Sequence, residues 1–105
     1  MKRWQILSER NKKMKETHCV VTVLGKDTTG IVASIATTLY ECGANIDDIR
    51  QNVLNDIFSM TMLITLDEDK ASFNEVQELL NKDGEKLGQQ VHLQREDVFK
   101  FMYTV

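Results

Sequence analysis

A run of alternating apolar and polar residues near the middle of the chain constrains the fold more than any other feature. Every second residue from position 58 to position 66 is large and apolar, and most residues between them are Ser or Thr. The apolar set is Phe58, Met60, Met62, Ile64 and Leu66. A period of two predicts a β-strand with one face in a core. The chain therefore needs a sheet with one covered face and one face left for solvent or a partner sheet.

Two segments with helical spacing can cover that sheet. The first runs from about residue 30 to residue 42, with apolar residues at every fourth position: Ile31, Ile35 and Leu39. We expect one of the preceding side chains to cap it: Asp27, Thr28 or Thr29. Gly43 stands where a left-handed residue ends a helix.

The second helical pattern follows the alternating strand. Its apolar stripe consists of Phe73, Val76, Leu80 and Leu87. We expect the acidic residues 67–69 to open this helix, because carboxylates stabilise a helix N-terminus. Gly84 falls inside the pattern, and Gly88 is the better end.

The remaining segments predict three more strands. Residues 17–24 are rich in β-branched side chains and predict a strand buried on both faces. Residues 45–54 mix apolar and charged positions, which suits an edge strand, and Asn55-Asp56 forms a hairpin turn. Residues 89–94 predict a last strand, and residues 96–103 a final short helix. This order predicts an α+β, ferredoxin-like βαββαβ sandwich: a four-stranded antiparallel sheet with two helices on one face and a short C-terminal helix.

Charge is divided unevenly along the chain. Residues 1–16 contain six basic and two acidic side chains, a net charge of +4, so residues 17–105 carry −7 of the total of −3. An acidic body argues against nucleic acid as a partner, because phosphate contacts dominate that affinity. We expect residues 1–16 to be a poorly ordered basic extension, with a docking or membrane-surface helix around Trp4 as the alternative. Translation can start at Met1 or at Met14.

Other totals narrow the class of protein. The 105 residues fit one domain, with little interior for a large cofactor. No apolar run approaches the roughly 20 residues that span a bilayer, and no secretory signal is evident, so we expect a cytoplasmic protein without a membrane partner.

Cys19 and Cys42 predict free, buried thiols. His18 and His92 lack ligand spacing for a metal, and no side chains pair as nucleophile and base, so we expect no metal, no cofactor and no enzyme.

Three kinds of domain with this fold differ in their residues. An RNA-recognition domain needs paired aromatics on its central strands, where only Phe58 is present. An acylphosphatase needs an arginine in the first loop, which has Lys26 instead. Residues 23–33 read VLGKDTTGIVA and residues 43–46 read GANI. This resembles the ACT domain, whose first loop has an acidic residue, one or two variable residues and Gly before Ile, Leu or Val, and whose next helix is followed by Gly and Asn-Ile.

The resemblance covers about residues 17–105, the expected ACT domain. The tail EDVFKFM, residues 96–102, is similar to that of stand-alone ACT proteins related to glycine-cleavage regulators and to the N-terminal domain of formyltetrahydrofolate deformylases. One departure is Thr29, where many ACT loops have proline. The resemblance implies a homodimer whose sheets join edge to edge or face to face, with ligands at the interface.

The candidate ligand site combines the first loop with the start of the second strand. A helix N-terminus suits a ligand carboxylate, a glycine allows close approach, and an Asn side chain both donates and accepts hydrogen bonds. The candidate residues are Gly25, Lys26, Asp27, Thr28, Thr29, Gly30, Ile31, Asn45 and Ile46. Each also has a purely structural explanation: relief of crowding at Gly30, capping by Asp27 or Thr28, and turn chemistry at Asn45.

We therefore expect a regulatory protein that binds an amino-acid-like ligand and signals through a partner protein. A protein–protein interaction or dimerisation module with no retained ligand site is the alternative.

Overall fold

A computed structural model describes residues 16–103, with the side chains of residues 16–99. The elements in this part of the chain are β1 (Glu16–Lys26), α1 (Ile31–Glu41), β2 (Asn45–Leu54), β3 (Ile57–Asp67), α2 (Phe73–Leu87), β4 (Gln89–Arg95) and α3 (Glu96–Tyr103). Their order confirms the predicted one. The basic extension and the two candidate start sites lie outside the described residues, except for Glu16, which opens β1.

The four strands form one antiparallel sheet in the order β2-β3-β1-β4. The central strands β1 and β3 pair along their whole length, from Glu16 opposite Asp67 to Lys26 opposite Ile57. Both long helices cover the same face of the sheet and contact each other. This is the predicted ferredoxin-like sandwich.

The core lies between the sheet and the two long helices. All five alternating apolar residues of β3 are buried there, which confirms the face that the sequence predicts. The helices contribute Ile31, Ile35, Leu39, Val76 and Leu80. Burying each of these larger side chains stabilises the fold by about 1.5–3 kcal/mol, so this layer is the main source of stability.

One face of β1 is less buried than the sequence predicts. Its helix-facing residues are buried in the core: Cys19, Val21 and Val23. On the opposite face Val20 is buried, whereas His18 and Leu24 are exposed. The prediction of a strand buried on both faces is wrong for this reason: both long helices cover the same side, so the other side stays open except around Val20.

The start of α2 also differs from the prediction. Residues 67–69 do not open the helix; Asp67 ends β3, and its Oδ1 accepts a hydrogen bond from the Asp69 backbone N–H at 3.0 Å in the turn that follows. The helix begins at Phe73 behind Ser72, whose Oγ accepts from the Glu75 N–H at 3.2 Å and lies 3.2 Å from the Glu75 carboxylate. A Ser cap with a Glu three residues later satisfies first-turn amides better than a distant acidic run.

Residues with a positive φ lie at the two predicted helix ends and in the predicted hairpin turn. Gly43 follows α1 with φ 75° and Gly88 ends α2 with φ 68°, as predicted. Asn55 has φ 57° in the hairpin turn between β2 and β3. Gly84 stays inside α2, where a Cβ would lie 2.8 Å from the backbone oxygen of Gln89. Glycine at this position thus lets α2 pack closely on β4.

β2 lies at one edge of the sheet, as predicted, and β4 lies at the other. A bulge interrupts its pairing with β3 between Ile46 and Asp48, and the Asp48 carboxylate accepts a hydrogen bond from the Ile49 N–H at 2.9 Å. Bulges and charges of this kind discourage uncontrolled pairing at a sheet edge. Val53 and Leu54 are nevertheless 48% and 70% exposed, which leaves an apolar stretch at the end of the strand.

None of the described helices has both the length and the apolar character needed to cross a membrane.

Candidate functional site

The loop between β1 and α1, residues 27–30, lies on the surface at one end of the sheet. Asp27, Thr28 and Thr29 are exposed, as is Lys26 at the end of β1. The Asp27 N–H donates to the Asp56 carbonyl oxygen at 2.8 Å, which ties the loop to the β2–β3 hairpin. The oppositely charged side chains of Lys26 and Asp27 are therefore both open to solvent at this end of the sheet.

The N-terminus of α1 carries no side-chain cap. The N-cap residue is Gly30, with φ 87°, and neither Asp27, Thr28 nor Thr29 accepts from the first turn, so the predicted cap is wrong. The reason is that glycine occupies the capping position and has no side chain to offer. The first amide to find an intrahelical partner is that of Ser34, which donates to the Gly30 oxygen at 2.9 Å. The three N–H groups of residues 31–33 before it are left without intrahelical partners.

Two candidate residues next to the loop have packing roles. Ile31 is 2% exposed and anchors α1 in the core. Gly25 lies against the side chain of Gln89 on β4, and a Cβ on Gly25 would fall 2.5 Å from Gln89 Oε1. Glycine at this position leaves room for the Gln89 carboxamide as it is placed. The sequence does not point to Gln89, although its spacing two residues before Val91 places it on the buried face of β4.

Asn45 and Ile46 lie at the other end of the same sheet. Asn45 pairs with Thr65 on β3, whereas the loop follows Lys26, which pairs with Ile57. Thr65 and Ile57 are separated by eight steps along β3, so one chain holds the two groups about 27 Å apart. Ile46 is half-buried against the core. A single chain therefore does not bring the candidate site residues together.

Asn45 instead belongs to a polar network on the open face of the sheet. Its Nδ2 donates to Asp47 at 2.5 Å, and the Thr65 hydroxyl donates to Asp47 at 2.6 Å and lies 3.2 Å from His18 Nδ1. The hydroxyl donates its proton to the carboxylate, so toward His18 Nδ1 it can act only as an acceptor, in the tautomer or charge state that carries a proton on Nδ1.

A small cavity adjoins this network. It has a volume of about 270 Å³, and its lining includes His18, Asp47, Leu63 and Glu96.

A protein-family model described as the ACT domain matches residues 17–94. The chain belongs to the ACT domain family. A UPF0237 protein of Methanopyrus kandleri is 49% identical over 89 residues, which are 85% of this chain and 99% of that protein. A solved ACT domain protein from Streptococcus pneumoniae is 34% identical with a TM-score of 0.69, covering 80% of this chain and 94% of that one.

Two further structures relate this ACT domain to longer proteins. A glycine cleavage system transcriptional repressor is 25% identical with a TM-score of 0.69, covering 76% of this chain and 46% of that one. A formyltetrahydrofolate deformylase from Burkholderia mallei has a TM-score of 0.68 at 12% identity, covering 75% of this chain and 28% of that one, and shows the fold alone. These likenesses confirm the resemblance that the loop and tail motifs indicate.

The two cysteines of the ACT domain are free and buried. Burial raises the pKa of the Cys19 thiol from 9.0 to about 11, and the nearby Arg95 guanidinium only partly opposes this. Burial also raises the pKa of Cys42, with smaller contributions from Glu41, Glu75 and Asp83. Both thiols therefore stay protonated at neutral pH and are poor nucleophiles.

Within residues 16–103 no three side chains of the His, Cys, Asp or Glu type are placed to hold a metal ion together.

Proposed function

We propose that this ACT domain is a regulatory module that binds an amino acid or a related small metabolite at the N-terminus of α1 and signals through a partner protein. The observation that carries the proposal is the uncapped first turn of α1 behind Gly30. The contrast with α2 is informative, since the same chain provides α2 with a Ser72 cap. A bound carboxylate would take the place of the missing cap.

The chemistry of the loop suits a zwitterion. A carboxylate at a helix N-terminus gains about 0.3–1 kcal/mol from the helix dipole, and hydrogen bonds to a charged group add about 1.5–3 kcal/mol each. The exposed Lys26 ammonium attracts the same carboxylate, and the exposed Asp27 carboxylate can pair with a ligand amine. Gly30 has no Cβ to keep the ligand from the first-turn amides.

A second copy of the chain would bring an Asn45 side chain to the same end of the sheet as the loop. If two β2 strands pair antiparallel about their midpoint, residue 45 of one copy lies opposite residue 54 of the other. Leu54 pairs with Ile57, which pairs with Lys26 at the start of the loop. Asn45 of the second copy would then lie at the loop end of the first, three strand spacings or about 14 Å from Lys26, which is closer than the Asn45 of the same chain. We propose a homodimer of this kind, with ligands near its interface.

A regulatory output rather than catalysis agrees with the groups present. Burial raises the pKa of both described cysteine thiols, so neither is a ready nucleophile at neutral pH. The chain's likeness to a glycine cleavage system transcriptional repressor supports a role in control. The protonated, unpaired thiols fit a reducing compartment, and we place the protein in the cytoplasm.

A second candidate is an interaction or dimerisation module without a ligand. An apolar patch on the open sheet face favours it, formed by the exposed residues Leu24, Leu54 and Ile57 at the loop end. The register places Leu54 opposite Ile57, and Leu24, which pairs with Ser59, is the diagonal neighbour of Ile57 on the same face. Exposed apolar side chains gathered in this way suit contact with a protein.

A thermal-shift panel of free amino acids separates the two candidates. An amino acid at about 100 times its Kd adds about 2.7 kcal/mol of stability. For a domain of this size that raises the Tm by about 10–20 °C. If no amino acid or related metabolite moves the Tm, the interaction module is the better account.

A pair of glycine variants then locates the site. Gly30 and Gly88 both have left-handed φ, and a Cβ on either meets nothing within 4 Å. Gly30→Leu and Gly88→Leu should therefore lose similar stability, about 1–2 kcal/mol, from backbone strain alone. We expect only Gly30→Leu to lose the ligand-induced shift. An undiminished shift in Gly30→Leu would place the site elsewhere.

A further inference from the structure

Gln89 is the buried polar residue beside the loop. Its side chain is 8% exposed, and it is the one residue with a polar or charged side chain that is buried within the described part of the chain. Its Nε2 donates to the Lys26 carbonyl oxygen at 2.5 Å, and the carboxamide lies against Gly25. Lys26 is the last residue of β1 before the loop, so Gln89 reaches the point where the chain leaves the sheet for α1.

The other carboxamide atom has no partner. Gln89 Oε1 is buried and accepts no hydrogen bond. More than about 90% of buried polar groups in folded proteins are hydrogen-bonded, so an orphan acceptor at this place calls for an explanation. The orientation of the amide is fixed, because only the NH₂ group can donate to the Lys26 oxygen.

We propose that Gln89 is a specificity-determining residue of the ligand site, with its Oε1 accepting a hydrogen bond from the ligand's amine. The inference rests on the proposed function and adds the orientation of the ligand. The uncapped amides of α1 can only donate, and Gln89 Oε1 can only accept. The α1 amides and Gln89 Oε1 therefore favour one orientation of a bound amino acid, with its carboxylate at the N-terminus of α1 and its ammonium group at Gln89.

The ligand reaches Oε1 after a local shift of the loop. Oε1 is closed to solvent, and residues 27–30 are the neighbouring segment whose side chains are all exposed. The Asp27 N–H bond to Asp56 is the one backbone bond that ties these four residues to the hairpin. Gln89 Oε1 gains a hydrogen-bond donor when the ligand enters.

The test compares each free amino acid with its deaminated acid, such as alanine with propionate. Calorimetry gives both Kd values for the wild type, for Gln89→Met and for Gln90→Met, an exposed neighbour that serves as the control. We expect the wild type to bind the amino acid at least about tenfold more tightly than the deaminated acid. Gln89→Met should lose about 10- to 100-fold in affinity for the amino acid and change by less than about twofold for the deaminated acid.

The ratio of the two affinities isolates the amine contact. Any small effect of losing the Lys26 bond in Gln89→Met falls on both probes alike, whereas loss of Oε1 affects the amine alone. Asp27 can still pair with the amine in this variant, so an amino-acid preference as large as that of the wild type would overturn the inference and leave the proposed function standing. Equal affinity of the wild type for the amino acid and the deaminated acid would also overturn the inference and leave the proposed function standing. This comparison needs no variant, so it can be made even if Gln89→Met fails to fold. If the wild type binds neither probe, both proposals fail.

Discussion

Gly25 and Gln89 face each other across the β1–β4 pair, and the carboxamide of Gln89 occupies the space that a side chain on Gly25 would need. A Cβ on Gly25 would lie 2.5 Å from Oε1 and 2.7 Å from Cδ of Gln89. The Gln89 side chain cannot move aside freely, because its Nε2 is held by the Lys26 carbonyl. The two residues therefore form one packing unit at the base of the loop.

Gly25→Ala should destabilise the fold by about 1–3 kcal/mol, because the new methyl group displaces the Gln89 carboxamide. Urea unfolding measures this value. In a Gln89→Ala background the same change should be neutral or stabilising, since the clash is gone and alanine costs less backbone entropy than glycine. Equal costs in the two backgrounds would show that the two residues do not interact.

The two long helices should respond differently to removal of hydroxyls near their N-termini. Ser72→Ala removes the side chain that accepts from the Glu75 N–H and should cost about 1 kcal/mol. Thr29→Ala, beside the uncapped start of α1, should change the stability by less than about 0.5 kcal/mol. A loss at Thr29 as large as that at Ser72 would mean that α1 is capped after all.

The strands and helices could be predicted from the sequence because apolar residues recur in them at regular spacings of two or four residues. The alternation that ends at Leu66 and the four-residue spacing from Ile31 to Leu39 reflect burial against one common layer, and burial is what the structure shows. Gly43 and Gly88 mark helix ends because left-handed φ values favour glycine. The start of α2 was harder to predict, since Ser72 competes with a nearby acidic run for the same role.

The candidate site could be predicted less well than the fold. Asn45 and Gly30 are both near α1 in sequence, yet a helix that crosses back over the sheet starts β2 at the end opposite the loop. The separation of Asn45 from Gly30 results from the order and direction of the strands, and the identity of neither residue reveals it. The orphan oxygen of Gln89 depends on how one side chain packs against Gly25, and no pattern in the sequence specifies such packing.

Stability should fall as the pH rises from about 9 to about 11, in part because of Cys19. Burial raises the pKa of this thiol from 9.0 to about 11, so between these values the unfolded chain loses a proton that the folded chain keeps. The contribution is complete below pH 9 and is lost as the pH approaches the folded pKa. Denaturant unfolding at several pH values should show a smaller decline for Cys19→Ala. Identical declines would contradict the raised pKa.

The proposed dimer through β2 should be sensitive to charge at the exposed apolar end of this strand. Val53 is 48% exposed on this edge, so Val53→Lys should spare the fold and raise the dimer dissociation constant at least about tenfold. Tyr40, 82% exposed on α1, provides the matched control, and Tyr40→Lys should leave the constant unchanged. Analytical ultracentrifugation measures both. An unchanged dimer in Val53→Lys would exclude edge-to-edge pairing at this position.

An NMR titration of the isotopically labelled chain with the amino acid that raises the Tm most tests whether the ligand binds at the start of α1. A carboxylate bound to the uncapped helix should shift the backbone amide signals of Gly30, Ile31, Val32 and Ala33 more than any others. We expect these shifts to saturate with the same Kd as the thermal stabilisation. Shifts centred on Asp47 and Thr65 instead, with the α1 amides unmoved, would contradict binding at the start of α1.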